Sequence, residues 1–103
     1  MTLIIENNIE KLTELCKKYK VNELDVFGSA ATGDFDENTS DVDFLVDFDK
    51  SVSDNRFDNF FNFLEELKIV FGRPVDLVET GGLRNPYFIE MVNKTKRRIY
   101  AAS

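Results

Sequence analysis

The segment from residue 40 to residue 48 restricts the fold of this chain more than any other part. It reads Ser-Asp-Val-Asp-Phe-Leu-Val-Asp-Phe, and every second side chain from residue 42 onward is apolar. That alternation predicts a β-strand over residues 41–48 with one buried face. Because strand side chains repeat every second residue, Asp41 and Asp43 are expected on the opposite face, close enough together to share a metal ion.

The rest of the chain predicts helices that alternate with short strands, in the order α-β-(α)-β-α-β-α. Apolar spacing together with Asn, Gly and Pro positions predicts helices over residues 4–19, between residue 55 and Gly72, and from Asn85 to about Asn93. Strands are predicted over residues 24–27, 41–48 and 74–78. This order favours a single domain over residues 1–103, with a small twisted sheet that helices cover on one face.

Asp76 and the turn at Gly28 add further candidate groups. Asp76 lies between Val75 and Leu77 in the third predicted strand, so it is expected to point away from the core, toward the same open face as Asp41 and Asp43. Gly28 and Ser29 follow the first strand, where a hydroxyl and backbone N–H groups can hold phosphate. Paired carboxylates beside such a turn favour chemistry on a metal-bound nucleotide.

The composition excludes several other kinds of site. The chain has no His and a single Cys, which rules out catalytic triads with His, His-containing zinc sites and iron–sulfur clusters. Cys16 falls on the apolar stripe of the first helix, so a buried thiol is predicted. No apolar run approaches the ~20 residues of a membrane span and the N-terminus lacks a signal layout, so a cytoplasmic protein is expected.

The charge distribution bears on possible partners. A net charge of −6 argues against direct nucleic-acid binding, which relies on Lys and Arg at phosphates. The acids concentrate over residues 34–58, as a solubilising surface or as a docking face for a basic partner. Residues 94–98 read Lys-Thr-Lys-Arg-Arg and are predicted to be a solvated helix end, with contact to a partner or to RNA as alternatives.

Taken together, these motifs resemble the minimal nucleotidyltransferase domains of the DNA polymerase beta superfamily. The resemblance rests on Phe27-Gly-Ser29 with Gly33, on Ser40-Asp-Val-Asp-Phe-Leu-Val46, on Arg73-Pro-Val-Asp-Leu-Val78, and on a tail from Leu83 to Tyr100. It implies an α/β fold with a small mixed sheet of three to four strands and helices packed on one face. It also implies that Asp41, Asp43 and Asp76 are catalytic residues that hold two Mg²⁺ ions, and that Gly28 and Ser29 bind the phosphates of ATP or another nucleoside triphosphate.

The resemblance further implies a partner. Small domains of this family pair with helical HEPN-type ribonuclease toxins and transfer AMP from ATP to a tyrosine of that partner. The expected function is therefore Mg-dependent transfer of a nucleoside monophosphate to a hydroxyl acceptor, and the alternative is an antitoxin or scaffold that binds its partner without catalysis. Two departures bear on this choice: eleven residues separate Ser29 from Asp41, one more than is common, and Ala30 and Thr32 stand where many relatives have Arg.

Other interpretations of the same residues remain open. The acids could be ordinary solvent-facing strand residues, and Gly28-Ser29 an ordinary turn and helix cap. Asp34-x-Asp36-x-Asn38 has the opening spacing of a calcium-binding EF-hand loop, but Thr39 and Leu45 occupy the positions that such a loop gives to Gly and Glu. Adenylylation of a small molecule is a third functional option, disfavoured because no acceptor-binding domain is evident.

Overall fold

The computed structural model describes residues 2–33, 36 and 40–102, and these form five helices and four strands in one sheet. The helices are α1 (Leu3–Glu6), α2 (Ile9–Lys18), α3 (Ser29–Thr32), α4 (Arg56–Phe71) and α5 (Pro86–Thr95). The strands are β1 (Val21–Phe27), β2 (Val42–Phe48), β3 (Val75–Glu79) and β4 (Arg97–Ala101). Short 3₁₀ turns lie at residues 50–55 and 80–82. The predicted loop at residues 33–40, with its EF-hand-like spacing, lies largely outside the described residues.

The four strands make a mixed sheet in the order β3-β2-β1-β4. β2 runs antiparallel to β1 and parallel to β3, and β4 runs antiparallel to β1. The α/β fold with a small mixed sheet is therefore confirmed. β2 therefore has a hydrogen-bonded strand on each side. It carries Asp43, one of the predicted catalytic residues.

The apolar face of β2 is buried as its alternation predicts. Val42, Phe44 and Val46 are fully buried and share one core with side chains of α2 and α4, among them Leu12, Leu15, Cys16, Phe63, Leu67 and Phe71. The buried thiol predicted at Cys16 is confirmed. Burial raises the pKa of this thiol to about 12, because a thiolate loses its hydration there.

An asparagine precedes the first residue of two helices, α2 and α5. The predicted helix over residues 4–19 is interrupted between α1 and α2, where the side-chain amide of Asn8 donates to the Ile4 carbonyl at 2.7 Å and competes with the helical backbone bonds. At α5 the predicted start is confirmed: Asn85 accepts from two backbone N–H groups of the first turn, and Pro86 occupies the first position. None of the helices in the described part of the chain is long and apolar enough to cross a membrane.

The second face of the sheet is partly covered, although it was expected to be open. Phe27, Leu45 and Val92 form a small buried cluster there, with Phe88 packed against it. Leu45 shares its face with Asp43, since both are odd-numbered residues of β2. Helix α5 therefore covers the middle of this face and approaches the predicted site from one side.

The tail of the chain forms β4, which differs from the prediction of a solvated helix end for residues 94–98. Helix α5 ends at Thr95, Lys96 is extended, and Arg97 begins the strand. The Arg98 guanidinium donates through Nε to the buried Asp25 carboxylate at 2.5 Å and also pairs with Glu23. Arg98 therefore neutralises a buried acid of β1, a role that charge patterning along a single segment does not reveal.

Candidate functional site

The register of the sheet places three positions in one row across three strands. Phe27, the last residue of β1, lies opposite Asp43 near the start of β2, and Asp43 lies beside Asp76 near the start of β3. Asp41 comes one residue before β2 begins. Because β1 ends where β2 and β3 begin, the carboxylates and the turn after β1 meet at one end of the sheet.

Asp43 is the most perturbed carboxyl group of this row. It is half-buried, whereas Asp41 and Asp76 are exposed. Burial, a hydrogen bond with Asp76 and the negative charges of Asp76 and Asp41 together raise the pKa of Asp43 from 3.8 to about 7. All of these influences disfavour a second negative charge. The Asp43 carboxyl therefore keeps its proton to near neutral pH.

The predicted convergence of three carboxylates is present in part. Asp43 and Asp76 are in hydrogen-bond contact, and Asp41 is near enough for its charge to act on Asp43. Within residues 2–33, 36 and 40–102, no three acidic side chains are grouped tightly enough to enclose a metal ion without other ligands. Any cation at this end of the sheet needs oxygen ligands from a bound molecule as well.

Gly28 is pressed against the Asp43 carboxylate. Its backbone has φ +71°, a left-handed conformation that favours glycine. A Cβ atom at this position would lie 2.8 Å from Asp43 Oδ2, which is closer than carbon and oxygen tolerate. Only glycine lets the chain leave β1, pass the carboxylate and begin α3 at Ser29.

The Gly28 N–H already has a partner within the protein. It donates to the side-chain oxygen Oγ1 of Thr95 at 2.9 Å, where α5 ends. Gly28 therefore serves the predicted phosphate-binding turn through its conformation rather than through its amide hydrogen. The Ser29 side chain follows immediately, at the first position of α3.

The row of carboxylates opens into a cleft of about 230 Å³. Its lining residues are Phe27, Asp43, Asp76, Leu77, Val78, Phe88 and Met91. The cleft thus joins two carboxylates to an otherwise apolar wall from β3 and α5. A second cleft, of about 250 Å³, lies at the far end of β2 and contains none of the predicted site residues. It holds an ion pair between Arg56 and Glu79, with 3.2 Å between the charged atoms.

Sequence reasoning did not identify the residues that α5 brings to the site. Phe88 and Met91 line the cleft and Thr95 contacts Gly28. They are spaced three and four residues apart, which places them on one helix face. That spacing was visible in the sequence, but its importance depends on α5 crossing the second face of the sheet.

Ala30 and Thr32, which stand where many relatives have Arg, differ in their surroundings. Ala30 is fully buried in the main core, and its carbonyl accepts from the backbone N–H of Thr2 at 3.1 Å. Thr32 is exposed. The core packing around Ala30 leaves no room for a long cationic side chain without rearrangement.

Comparison with known proteins places these features in a family. The family model for the nucleotidyltransferase domain matches residues 9–99. A curated relative, the protein adenylyltransferase MntA of Thermococcus cleftensis, is 40% identical over 72 residues, which cover 70% of this chain and 69% of that protein.

Solved structures show the same fold. A structure assigned as a minimal nucleotidyltransferase superimposes with a TM-score of 0.72 at 28% identity and covers 89% of each chain. A chain from the complex of a tri-AMPylated Shewanella oneidensis HEPN toxin with an MNT antitoxin superimposes with a TM-score of 0.62 at 17% identity, covering 95% of this chain and 73% of that one.

Proposed function

This chain belongs to the nucleotidyltransferase family, and on that premise we propose that it transfers AMP from ATP to a hydroxyl group of a partner protein. The observation that carries the proposal is the Asp43–Asp76 pair, which is in register across β2 and β3 and lies against the Gly28 turn. This arrangement puts carboxylate ligands beside the turn that would receive the phosphates of the nucleotide.

The carboxylates fit Mg²⁺ by their chemistry. Asp41, Asp43 and Asp76 offer hard oxygen ligands, and Mg²⁺ is usually held by one or two carboxylates together with substrate phosphates. Burial, and after it the neighbouring Asp76 and Asp41, raise the pKa of Asp43, so a negative charge there is costly and a bound cation would relieve that cost. Two Mg²⁺ ions at such a site would supply activation of the attacking oxygen and stabilisation of the leaving pyrophosphate.

Each residue of the site has a separate task in this proposal. Asp41 and Asp43 hold the metal ions, and Asp76 completes the site and accepts the proton of the acceptor hydroxyl. The freed oxygen attacks the α-phosphorus of ATP, and the bond to the β-phosphate oxygen breaks to release pyrophosphate. Ser29 donates its hydroxyl hydrogen to the phosphates, while Gly28 brings the chain close to Asp43 without a side chain.

The cleft supports an aromatic hydroxyl as the acceptor. Phe27, Phe88 and Met91 supply apolar walls, and Asp76 lies in the same cleft. An aromatic ring packs well against such walls while its hydroxyl points toward the carboxylate. We therefore propose a tyrosine as the acceptor. We propose a helical HEPN-type toxin as the protein that carries it, because a chain of the same fold forms a complex with an AMPylated HEPN toxin.

Titration calorimetry with ATP tests the site directly. We expect binding by the wild type in the presence of Mg²⁺, no measurable binding without it, and a large loss of affinity in Asp43→Asn. Asp47→Asn is the matched control, since it removes the same charge from the same face of β2 four residues away. Absence of binding by the wild type, or equal binding by Asp43→Asn, would contradict the proposal.

A non-catalytic antitoxin is the second candidate, and one observation favours it. Residues 28–33 contain no Lys or Arg, so this turn brings no cation to the triphosphate. Co-expression with the toxin separates the candidates. If AMP transfer is required, Asp43→Asn loses protection against the toxin and the toxin's mass stays unmodified. If binding alone suffices, Asp43→Asn protects as well as the wild type does.

A further inference from the structure

The Thr95 hydroxyl has two directed hydrogen bonds at the end of α5. It donates its hydrogen to the Met91 carbonyl one turn earlier, at 2.9 Å. Its oxygen accepts from the Gly28 N–H, also at 2.9 Å. A hydroxyl has a single hydrogen, and because it is directed at Met91, a lone pair is left to face Gly28.

The position of Gly28 determines the space beside Asp43. The Gly28 backbone is so near the Asp43 carboxylate that a Cβ atom would lie 2.8 Å from Oδ2. A small displacement of this turn therefore alters the distance between the phosphate-binding residues and the carboxylates. Thr95 is the group that fixes the Gly28 amide from outside the turn.

The same hydroxyl connects the turn to the wall of the cleft. Met91, which receives the Thr95 hydrogen bond through its carbonyl, lines the cleft with its side chain. Helix α5 is thus attached at its last residue to the turn after β1, across 67 positions of sequence. One side chain links the two surfaces between which the substrates would lie.

We propose that Thr95 is a positioning residue of the nucleotide site, which acts through Gly28 to hold the phosphate-binding turn at its working distance from Asp43. This inference rests on the proposed function, because it assigns Thr95 a part in binding ATP. In this proposal Thr95 acts only through Gly28 and has no contact of its own with the nucleotide or the reacting atoms.

The test compares Thr95→Val and Thr95→Ser by calorimetry with Mg²⁺ and ATP. Valine has the shape of threonine without the hydroxyl. Without that hydrogen bond the Gly28 turn occupies its working position for less of the time, so we expect about fivefold to tenfold weaker binding. Serine retains the hydroxyl and should bind within about twofold of the wild type. If Thr95→Val does not fold, Thr95→Ala takes its place.

Thr13 provides a matched control within the same chain. Its hydroxyl donates to the Ile9 carbonyl at 2.9 Å, which is the same kind of bond to a carbonyl four residues earlier, but it lies within α2 instead of at the Gly28 turn. Thr13→Val should leave ATP affinity unchanged. Equal weakening in Thr13→Val and Thr95→Val would show a general helix effect and overturn the proposal.

A second measurement keeps the role of Thr95 separate from the proposed function. Amide hydrogen exchange at Gly28, followed by NMR without nucleotide, should be at least about fivefold faster in Thr95→Val and unchanged in Thr95→Ser. Unchanged exchange in Thr95→Val would refute the positioning role. If the exchange responds as expected but the wild type binds no ATP, then the proposed function fails and Thr95 positions the turn for another purpose.

Discussion

Asp43→Asn should make the protein more stable while it removes a proposed metal ligand. In the folded chain the Asp43 carboxyl is half-buried beside two other acids, and its pKa rises from 3.8 to about 7. Asparagine fills the same space and can donate its amide hydrogens to Asp76, so the substitution removes the repulsion and preserves the contact. Stability and the proposed catalysis therefore make opposite demands on this position.

The magnitude follows from the pKa of Asp43. A rise from 3.8 to about 7 would correspond to about 4 kcal/mol for a fully desolvated group. Solvent reaches part of this side chain and screens its neighbours, which reduces the expected effect to about 1–2 kcal/mol. For a chain of 103 residues this is a rise in melting temperature of roughly 5–10 °C.

The sign of the pH dependence is fixed by the direction of the pKa change. Between pH 4 and pH 7 the unfolded chain has already released the Asp43 proton while the folded chain retains it. The folded state therefore loses stability through this group as the pH rises across that window, and the loss is complete above about pH 7. Asparagine does not titrate, so Asp43→Asn should lack this part of the pH dependence of stability.

Thermal melts at pH 5 and pH 8 in a chelator measure the effect. We expect Asp43→Asn to exceed the wild type by its full margin at pH 8 and by only about a third of that margin at pH 5, because most of the window from 3.8 to about 7 lies above pH 5. Asp47→Asn, on the same face of β2, controls for the general loss of one negative charge from an acidic protein. Equal melting temperatures for wild type and Asp43→Asn at pH 8, or the same gain in Asp47→Asn, would refute the reasoning.

Two further substitutions test the parts of the structure that surround the site. Gly28→Ala should destabilise the fold by about 1–3 kcal/mol, because it puts a side chain at a positive φ and in close contact with Asp43. Urea unfolding would measure this loss of stability, and a loss below about 0.5 kcal/mol would contradict the close approach. Arg98→Ala should cost about 3–5 kcal/mol, since it leaves the buried Asp25 unpaired. Lys94→Ala, which breaks an exposed ion pair on α5, should cost less than about 0.5 kcal/mol in the same assay.

Several of the elements that carry the site residues could be predicted, because short local sequence patterns specify them. The alternation over residues 42–48 gave β2 and its buried face, and Asn85 with Pro86 gave the start of α5. The expectation that Asp43 and Asp76 point off the same face needed only the two-residue period of strands and the apolar neighbours of each acid. Their hydrogen-bond contact agrees with that expectation, while the catalytic roles of these residues remain a prediction.

The parts that could not be predicted depend on contacts between distant segments. β4 is short and begins with two arginines, and its partner strand β1 lies far earlier in the chain, so its charge suggested solvent instead of a sheet. The hydrogen bond between Thr95 and Gly28 joins residues 67 positions apart, and a single contact of this kind produces no repeating pattern in the sequence. The interruption before α2 was missed because Asn8 acts through a side-chain hydrogen bond, which apolar spacing does not register.

The row formed by Phe27, Asp43 and Asp76 makes this site sensitive to changes in segment length as well as to changes in composition. If one residue inserted or deleted in the Arg73–Pro74 turn slid β3 by one position against β2, the pairing of Asp43 with Asp76 would be lost. Such a slip turns every side chain of a strand to its other face, so Asp76 would leave the cleft and enter the core. The three carboxylates and the glycine would all still be present in that sequence, yet the site would be gone.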